Sequence, residues 1–209
     1  PTGYKGKLIN KYVKKNLMYK NIKIDLVNTG NNTTIAKRIY SIKNRIKSEN
    51  FLLLNGDALL DCNIKKIYKD HIKRKDNMTF IGGEAQLNFG TVGIINGRIV
   101  NFEREINFNA VKVKNKSNFS GNIYSGMSIM NKSILLTNFK KFINFEKDLY
   151  PKIIKKFKCN FAILKGFWHS IDNVKDINSV NKNINLKKYK SVIKIIKKIK
   201  ENEKKFLEK

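Results

Sequence analysis

Asp57 is the first residue whose setting suggests chemistry. It follows the run Phe51-Leu52-Leu53-Leu54 and the pair Asn55-Gly56, with polar Ser48-Glu49-Asn50 ahead of the run. Four consecutive apolar residues bounded by polar ones predict a short strand buried on both faces. In open α/β sheets, ligands bind beyond the carboxyl ends of such strands. A carboxylate at a rigid strand tip suits a hard cation such as Mg2+, which takes one or two carboxylates plus substrate phosphates. The competing reading is that Asn-Gly-Asp is a turn and nothing more. A second apolar approach, Gly166-Phe167-Trp168-His169-Ser170-Ile171, also ends on an acid, Asp172, and Asn173 is placed to cap a helix from Val174.

Other stretches carry weaker signals. Asn28-Thr29-Gly30-Asn31-Asn32-Thr33-Thr34 is a polar loop rich in helix caps, and Ile35, Ile39, Ile42 and Ile46 follow at helical spacing. They predict a helix beginning near Thr33, whose free N–H groups and partial positive charge suit phosphate, with Arg38 one turn inside. Capping alone explains the cluster equally well. Phe102-Glu103-Arg104-Glu105 sets alternating charges at a strand exit, either a solvated edge or a cation and carboxylate for a phosphosugar. Ser125-Gly126 lies within the strand expected over 122–130, where a missing side chain lets a ligand approach the backbone. His71 falls on an apolar helical face with Ile64, Ile67, Tyr68 and Ile72, and reads as a hydrogen-bonded packing residue before a ligand.

The elements that would position these groups alternate between helix and strand. Leu8, Ile9, Tyr12 and Val13 predict a helix over residues 5–15, and residues 22–26 alternate as a strand. A strand is expected over 78–81. Residues 91–95 and 98–100, joined by Asn96-Gly97, form the clearest local pattern, a hairpin with a type I′ turn. A polar loop over 112–120, a strand over 122–130, a helix over 146–157 kinked or delayed by Pro151, and a strand over 161–164 complete the order. The class is α/β with a mixed sheet.

The chain of 209 residues holds 44 Lys+Arg against 16 Asp+Glu, a formal charge of +28. A polyanion partner is one explanation. Because Lys, Asn and Ile abound throughout, a compositional bias is the stronger one, and no nucleic-acid module stands out. Residues 181–209 predict a basic amphipathic helix around Tyr189, Val192, Ile193, Ile196 and Ile199. Packing on the domain or on a second subunit is favoured there over contact with an anionic membrane surface. Cys62 and Cys159 lack metal-ligand spacing and fit a reducing, cytoplasmic setting. There is no run of about 18 apolar residues and no signal peptide. The first residue is Pro1, which suggests a start inside a longer gene product.

Five segments in order resemble the sugar-phosphate nucleotidyltransferases, most of all the glucose-1-phosphate cytidylyltransferases, with the heptose-1-phosphate guanylyltransferase-like group second. They are Gly3-Tyr4-Lys5-Gly6-Lys7-Leu8-Ile9, Asn28-Thr29-Gly30-Asn31-Asn32-Thr33, Leu54-Asn55-Gly56-Asp57, Phe89-Gly90-Thr91-Val92-Gly93 and Phe167-Trp168-His169-Ser170-Ile171-Asp172. The resemblance implies a three-layer, Rossmann-like nucleotide-diphospho-sugar transferase fold over residues 1–180. It also implies that the first strand and Gly-rich phosphate loop are missing, so that the fold is N-terminally incomplete. Such enzymes join a nucleoside triphosphate to a sugar 1-phosphate and release pyrophosphate.

By the same resemblance, Asp57 and Asp172 hold Mg2+, while Asn55, Gly56 and Thr33 meet the nucleotide. Glu103, Arg104, Ser125 and Gly126 meet the sugar phosphate, and Trp168 packs beneath the Asp172 loop. Three departures stand out. Ile35-Ala36-Lys37 replaces Thr-Gly-Gly, Tyr124 replaces an Asn of the sugar-binding strand, and Arg104 replaces a Lys. They keep open a non-catalytic binding or partner protein of the same fold, and, beyond that, a basic protein for which the fold is incidental. A homo-oligomer is compatible with the pattern.

Overall fold

The computed structural model describes residues 1–16, 23–83, 85–86, 91–103, 107–108, 110–111, 119–120, 122–137 and 142–183. The basic tail from residue 184 onward, Phe89-Gly90, Arg104 and most of the 112–120 loop lie outside the described residues.

Four strands make the main sheet: β1 (Asn50–Leu54), β3 (Met78–Gly83), β10 (Ile123–Asn131) and β11 (Cys159–Ile163), in the order β1-β10-β3-β11. The inner strands are buried along most of their length, with Met78, Ile81, Ile129 and Met130 fully inaccessible. Burial of β1 on both faces is not what the structure shows. Among the described residues β1 stands at the end of the sheet, and Leu52 and Leu54, which share a face, are 47% and 53% exposed. A run of leucines satisfies a strand's β-geometry at an edge as well as at a centre; only neighbours decide its burial.

The chain divides into two compact units. One consists of Pro1–Leu52, Lys75–Met78 and Ile129–Cys159; the other holds the described residues within 53–74, 79–128 and 160–209. In the first unit, α1 (Gly6–Asn16) forms as its periodicity predicts, yet of its apolar residues only Val13 is buried, while Leu8 and Tyr12 are each 62% exposed. The described residues 23–27 form no strand, unlike the expectation for 22–26, of which residue 22 lies outside the described residues. Their neighbour Asn28 makes an isolated bridge with Thr2, and Thr2 donates its N–H to the Val27 carbonyl at 2.7 Å.

The second helix, α2, begins at Ile35 rather than Thr33 and ends at Ser41, followed by a 3-10 turn over Lys43–Arg45. Thr34 is its N-cap, accepting from the Lys37 N–H at 3.4 Å. The helix expected over 146–157 starts late, as Pro151 allows. A π-helical turn, Phe145–Leu149, precedes α4 (Tyr150–Lys156), and the proline sits in the first turn, where no intrahelical N–H is needed.

In the second unit, α3 (Ile64–Arg74) places His71 in full burial, with Nδ1 2.8 Å from the Thr79 hydroxyl. It is a hydrogen-bonded core histidine, and the hydrogen bond offsets the cost of burying its polar ring. The hairpin of β5 (Thr91–Ile95) and β6 (Arg98–Glu103) forms around Asn96 and Gly97, with φ of 49° and 77°. Positive φ at both central residues is the type I′ requirement. Among the described residues the unit also has three short antiparallel pairs: β4 (Ala85–Gln86) with β7 (Asn107–Phe108), β8 (Ala110–Val111) with β9 (Phe119–Ser120), and β2 (Ala58–Leu60) with β12 (Trp168–Ser170). Residues 119–120 are therefore paired rather than looped. The last described helix, α5 (Val174–Asn183), starts at the residue its cap predicts.

Candidate active site

The Asn55-Gly56-Asp57 segment is a turn and a strand tip at once. It leaves β1 and re-enters as β2, with Ala58 N–H 3.5 Å from the Asn55 carbonyl. The second unit then brings the other acid to it. Trp168, His169 and Ser170 pair with Leu60, Leu59 and Ala58, and the ladder extends one step further, Ile171 donating its N–H to the Asp57 carbonyl at 2.8 Å. Asp57 is thus opposite Ile171, and Asp172 is the next residue along. Both acids are exposed, at the same end of one two-stranded ladder.

Neighbours fix both acid-bearing segments. Asn55 N–H donates to the Gly126 carbonyl at 2.9 Å, tying the turn to β10. Gly126 has φ of 80°, and a Cβ there would come within 2.8–3.0 Å of the Asn55 side chain. The missing side chain of Gly126 therefore makes room for Asn55. Ser125, which the resemblance assigns to the sugar, is 2% exposed, and its hydroxyl donates to the Ile81 carbonyl at 2.7 Å inside the sheet. Its strand is an inner one, buried at every position from Ser125 to Met130, a fact that a Ser-Gly pair in a string of letters does not reveal. Gly56, by contrast, would meet nothing within 4 Å of an added Cβ, so its flank is open.

On the other side, Ser170 Oγ donates to Asp172 Oδ1 at 2.9 Å. Asp176 Oδ2 accepts from the N–H groups of Asp172 and Asn173 at 2.9 and 3.0 Å, while Asn173 Oδ1 accepts from the N–H groups of Lys175 and Asp176 at 2.8 and 3.2 Å. This is a reciprocal capping box at the start of α5. The Asn173-x-x-Asp176 spacing carried that signal in the sequence; the pairing of β2 with β12 carried none beyond three apolar letters after a turn.

The remaining predicted residues lie elsewhere or are not described. Thr33 belongs to the first unit, where its hydroxyl donates to the Thr29 carbonyl. Arg38, one turn into α2, donates to the Thr2 carbonyl (2.9 Å), the Thr29 hydroxyl (2.8 Å) and the Asn31 carbonyl (3.1 Å), so its guanidinium staples loop to N-terminal segment. Glu103 ends β6 opposite Thr91, and Arg104 lies outside the described residues. Trp168 is half-buried in β12, and neither its Nε1 nor His169 Nε2 finds a partner among the described residues. Among the described residues no three His, Cys, Asp or Glu side chains cluster, and no helix is long and apolar enough to cross a membrane.

No family model matches the chain. It is 27% identical over 162 residues, 77% of its length, to a probable glucose-1-phosphate cytidylyltransferase of Bacillus subtilis (strain 168), and it spans 59% of the length of that relative. Among solved structures it is similar to HddC from Yersinia pseudotuberculosis, with 19% identity over 88% of this chain and 76% of that one. The TM-score is 0.62, or 0.64 for HddC complexed with GMP-PN. A putative glucose-1-phosphate thymidylyltransferase from Bacillus anthracis, in complex with a sucrose, matches over 83% of this chain and 71% of its own, at TM-score 0.56 and 12% identity.

Proposed function

We propose that this chain, related in sequence to the sugar-phosphate nucleotidyltransferases and sharing their fold, acts on a nucleoside triphosphate and a sugar 1-phosphate. In that reaction a phosphate oxygen of the sugar 1-phosphate attacks the α-phosphorus in line. The bond from α-phosphorus to the bridging oxygen breaks, and pyrophosphate leaves. Such chemistry needs alignment and charge neutralisation more than a protein nucleophile.

The observation that carries the reading is the β2–β12 ladder, which brings the Asp57 and Asp172 segments to one end of the second unit. Carboxylate oxygens are the donors a hard divalent cation takes, and two of them plus substrate phosphates make a sufficient set for Mg2+. When bound there, Mg2+ would supply positive charge against the triphosphate. The open flank of Gly56 supports a close approach of the nucleotide to the main chain. Asn55, fixed by Gly126, borders that approach, and Thr33 is assigned to the nucleotide and Glu103 with Arg104 to the sugar phosphate on the resemblance alone.

Pyrophosphate release from a panel of nucleoside triphosphates with hexose and heptose 1-phosphates tests the reading. Release should depend on Mg2+, and Asp57→Asn or Asp172→Asn should lower it by about 100-fold or more, the scale of losing a group that stabilises transition-state charge. Near-normal turnover in either variant, with Mg2+ dependence intact, would refute the assignment.

A further inference from the structure

We propose that Ser170 is a positioning residue for the Asp172 carboxylate, an inference that rests on the metal-binding reading above. Asp172 is exposed and leaves the strand ladder, so its side chain by itself has free choice of staggered rotamers. One contact restricts that choice, and a second fixes the main chain beneath it. Ser170, held opposite Ala58 by strand pairing and half-buried, donates its hydroxyl to Asp172 Oδ1 at 2.9 Å. Asp176 fixes the Asp172 main chain through its N–H at 2.9 Å.

A neutral hydroxyl is the appropriate donor for this task. A lysine or arginine in its place would cancel the charge that a cation needs, whereas Ser170 orients one oxygen and leaves the second, with its full negative charge, for the metal. Ligating carboxylates elsewhere depend on such outer hydrogen bonds. The division of labour is specific: Asp176 sets where the residue is, and Ser170 sets how its carboxylate is turned. An arrangement needed only to begin α5 would use Asn173 and Asp176 and would be indifferent to Ser170.

The test uses the full chain and Mn2+ alone as probe, with binding followed by loss of the free-ion electron paramagnetic resonance signal. Ser170→Ala should raise the half-saturating Mn2+ concentration about 10-fold, the lower end of what removing such a support costs. Its thermal midpoint should match that of wild type. Ser170→Thr, which keeps the hydroxyl and suits a strand, should bind like wild type. Asp172→Asn is the control that separates the two ideas. If Asp172→Asn binds Mn2+ as wild type does, or wild type binds none, the metal reading falls and this inference with it. If Asp172→Asn loses binding but Ser170→Ala does not, or Ser170→Thr fails to restore it, the metal reading stands and the role of Ser170 is overturned.

Discussion

The main-chain N–H of Ile171 lies 2.8 Å from the carbonyl oxygen of Asp57. Two residues separated by 114 positions in the sequence (171 − 57) are thereby held opposite one another, and Asp172 follows directly. The bond is between main-chain atoms, so it survives substitution of either carboxylate.

That last point makes the acid variants clean reporters. Asp57→Asn and Asp172→Asn keep the shape and the ladder and remove only charge, so both should fold with wild-type thermal midpoints. If both serve one cation, the double variant should be scarcely worse than either single one, because residues acting as a unit are strongly non-additive. Losses that multiply would indicate two independent roles. Turnover of the three variants at saturating Mg2+ decides between these outcomes.

The two glycines of the site should respond oppositely to the same substitution. Gly126→Ala forces a Cβ to within 3.0 Å of Asn55 at φ of 80°. It should destabilise the protein by about 1–3 kcal/mol, the usual cost of such backbone strain. Gly56→Ala meets open space, and should change stability by less than about 0.5 kcal/mol. A fall in nucleotide affinity for Gly56→Ala without a change in denaturant midpoint would locate the ligand against that main chain; unchanged affinity would argue against it.

Arg38 makes three hydrogen bonds within the first unit, two of them to carbonyls of Thr2 and Asn31. Gly3 leaves room for it: a Cβ at Gly3 would lie 2.2 Å from the guanidinium. Arg38→Ala should cost about 1–3 kcal/mol, the range for hydrogen bonds to a charged group that is only partly buried. Arg38→Lys should recover little, since one ammonium cannot reproduce the planar fork. Chemical denaturation of the three proteins measures both.

The Cys159 thiol is pushed up to about 11 from its ordinary 9.0, by burial first and by the Asp76 carboxylate second. The folded value lies above the unfolded one, so folding favours the protonated thiol. That contribution is complete below pH 9.0 and is lost as pH rises through about 11. The thermal midpoint of wild type should therefore fall more steeply across this window than that of Cys159→Ala. Parallel curves would show that the thiol does not sense its surroundings in this way. Near neutral pH, Cys159 should react slowly with thiol reagents in the folded protein and rapidly once unfolded.

Local chemistry accounts for what could be read without coordinates. Positive φ at Asn96 and Gly97, the cap at Asn173 and the delay at Pro151 all follow from interactions within a few residues, and each formed as its letters imply; the apolar face of α3 likewise marked His71 for packing, although its partner Thr79 lies in a strand. Asp57 at a strand tip, and a second acid after an apolar approach, were legible for the same reason. Neighbours distant in sequence settled the rest. One face of β1 stayed exposed at Leu52 and Leu54, the Ile81 carbonyl of the adjacent strand engaged Ser125, Asn55 filled the space beside Gly126, and Thr2 and Asn31 occupied Arg38. Above all, only the pairing of Ala58 with Ser170 brought the segments bearing Asp57 and Asp172 to one end of a ladder, because strand register is set by long-range hydrogen bonding and burial that no single segment encodes.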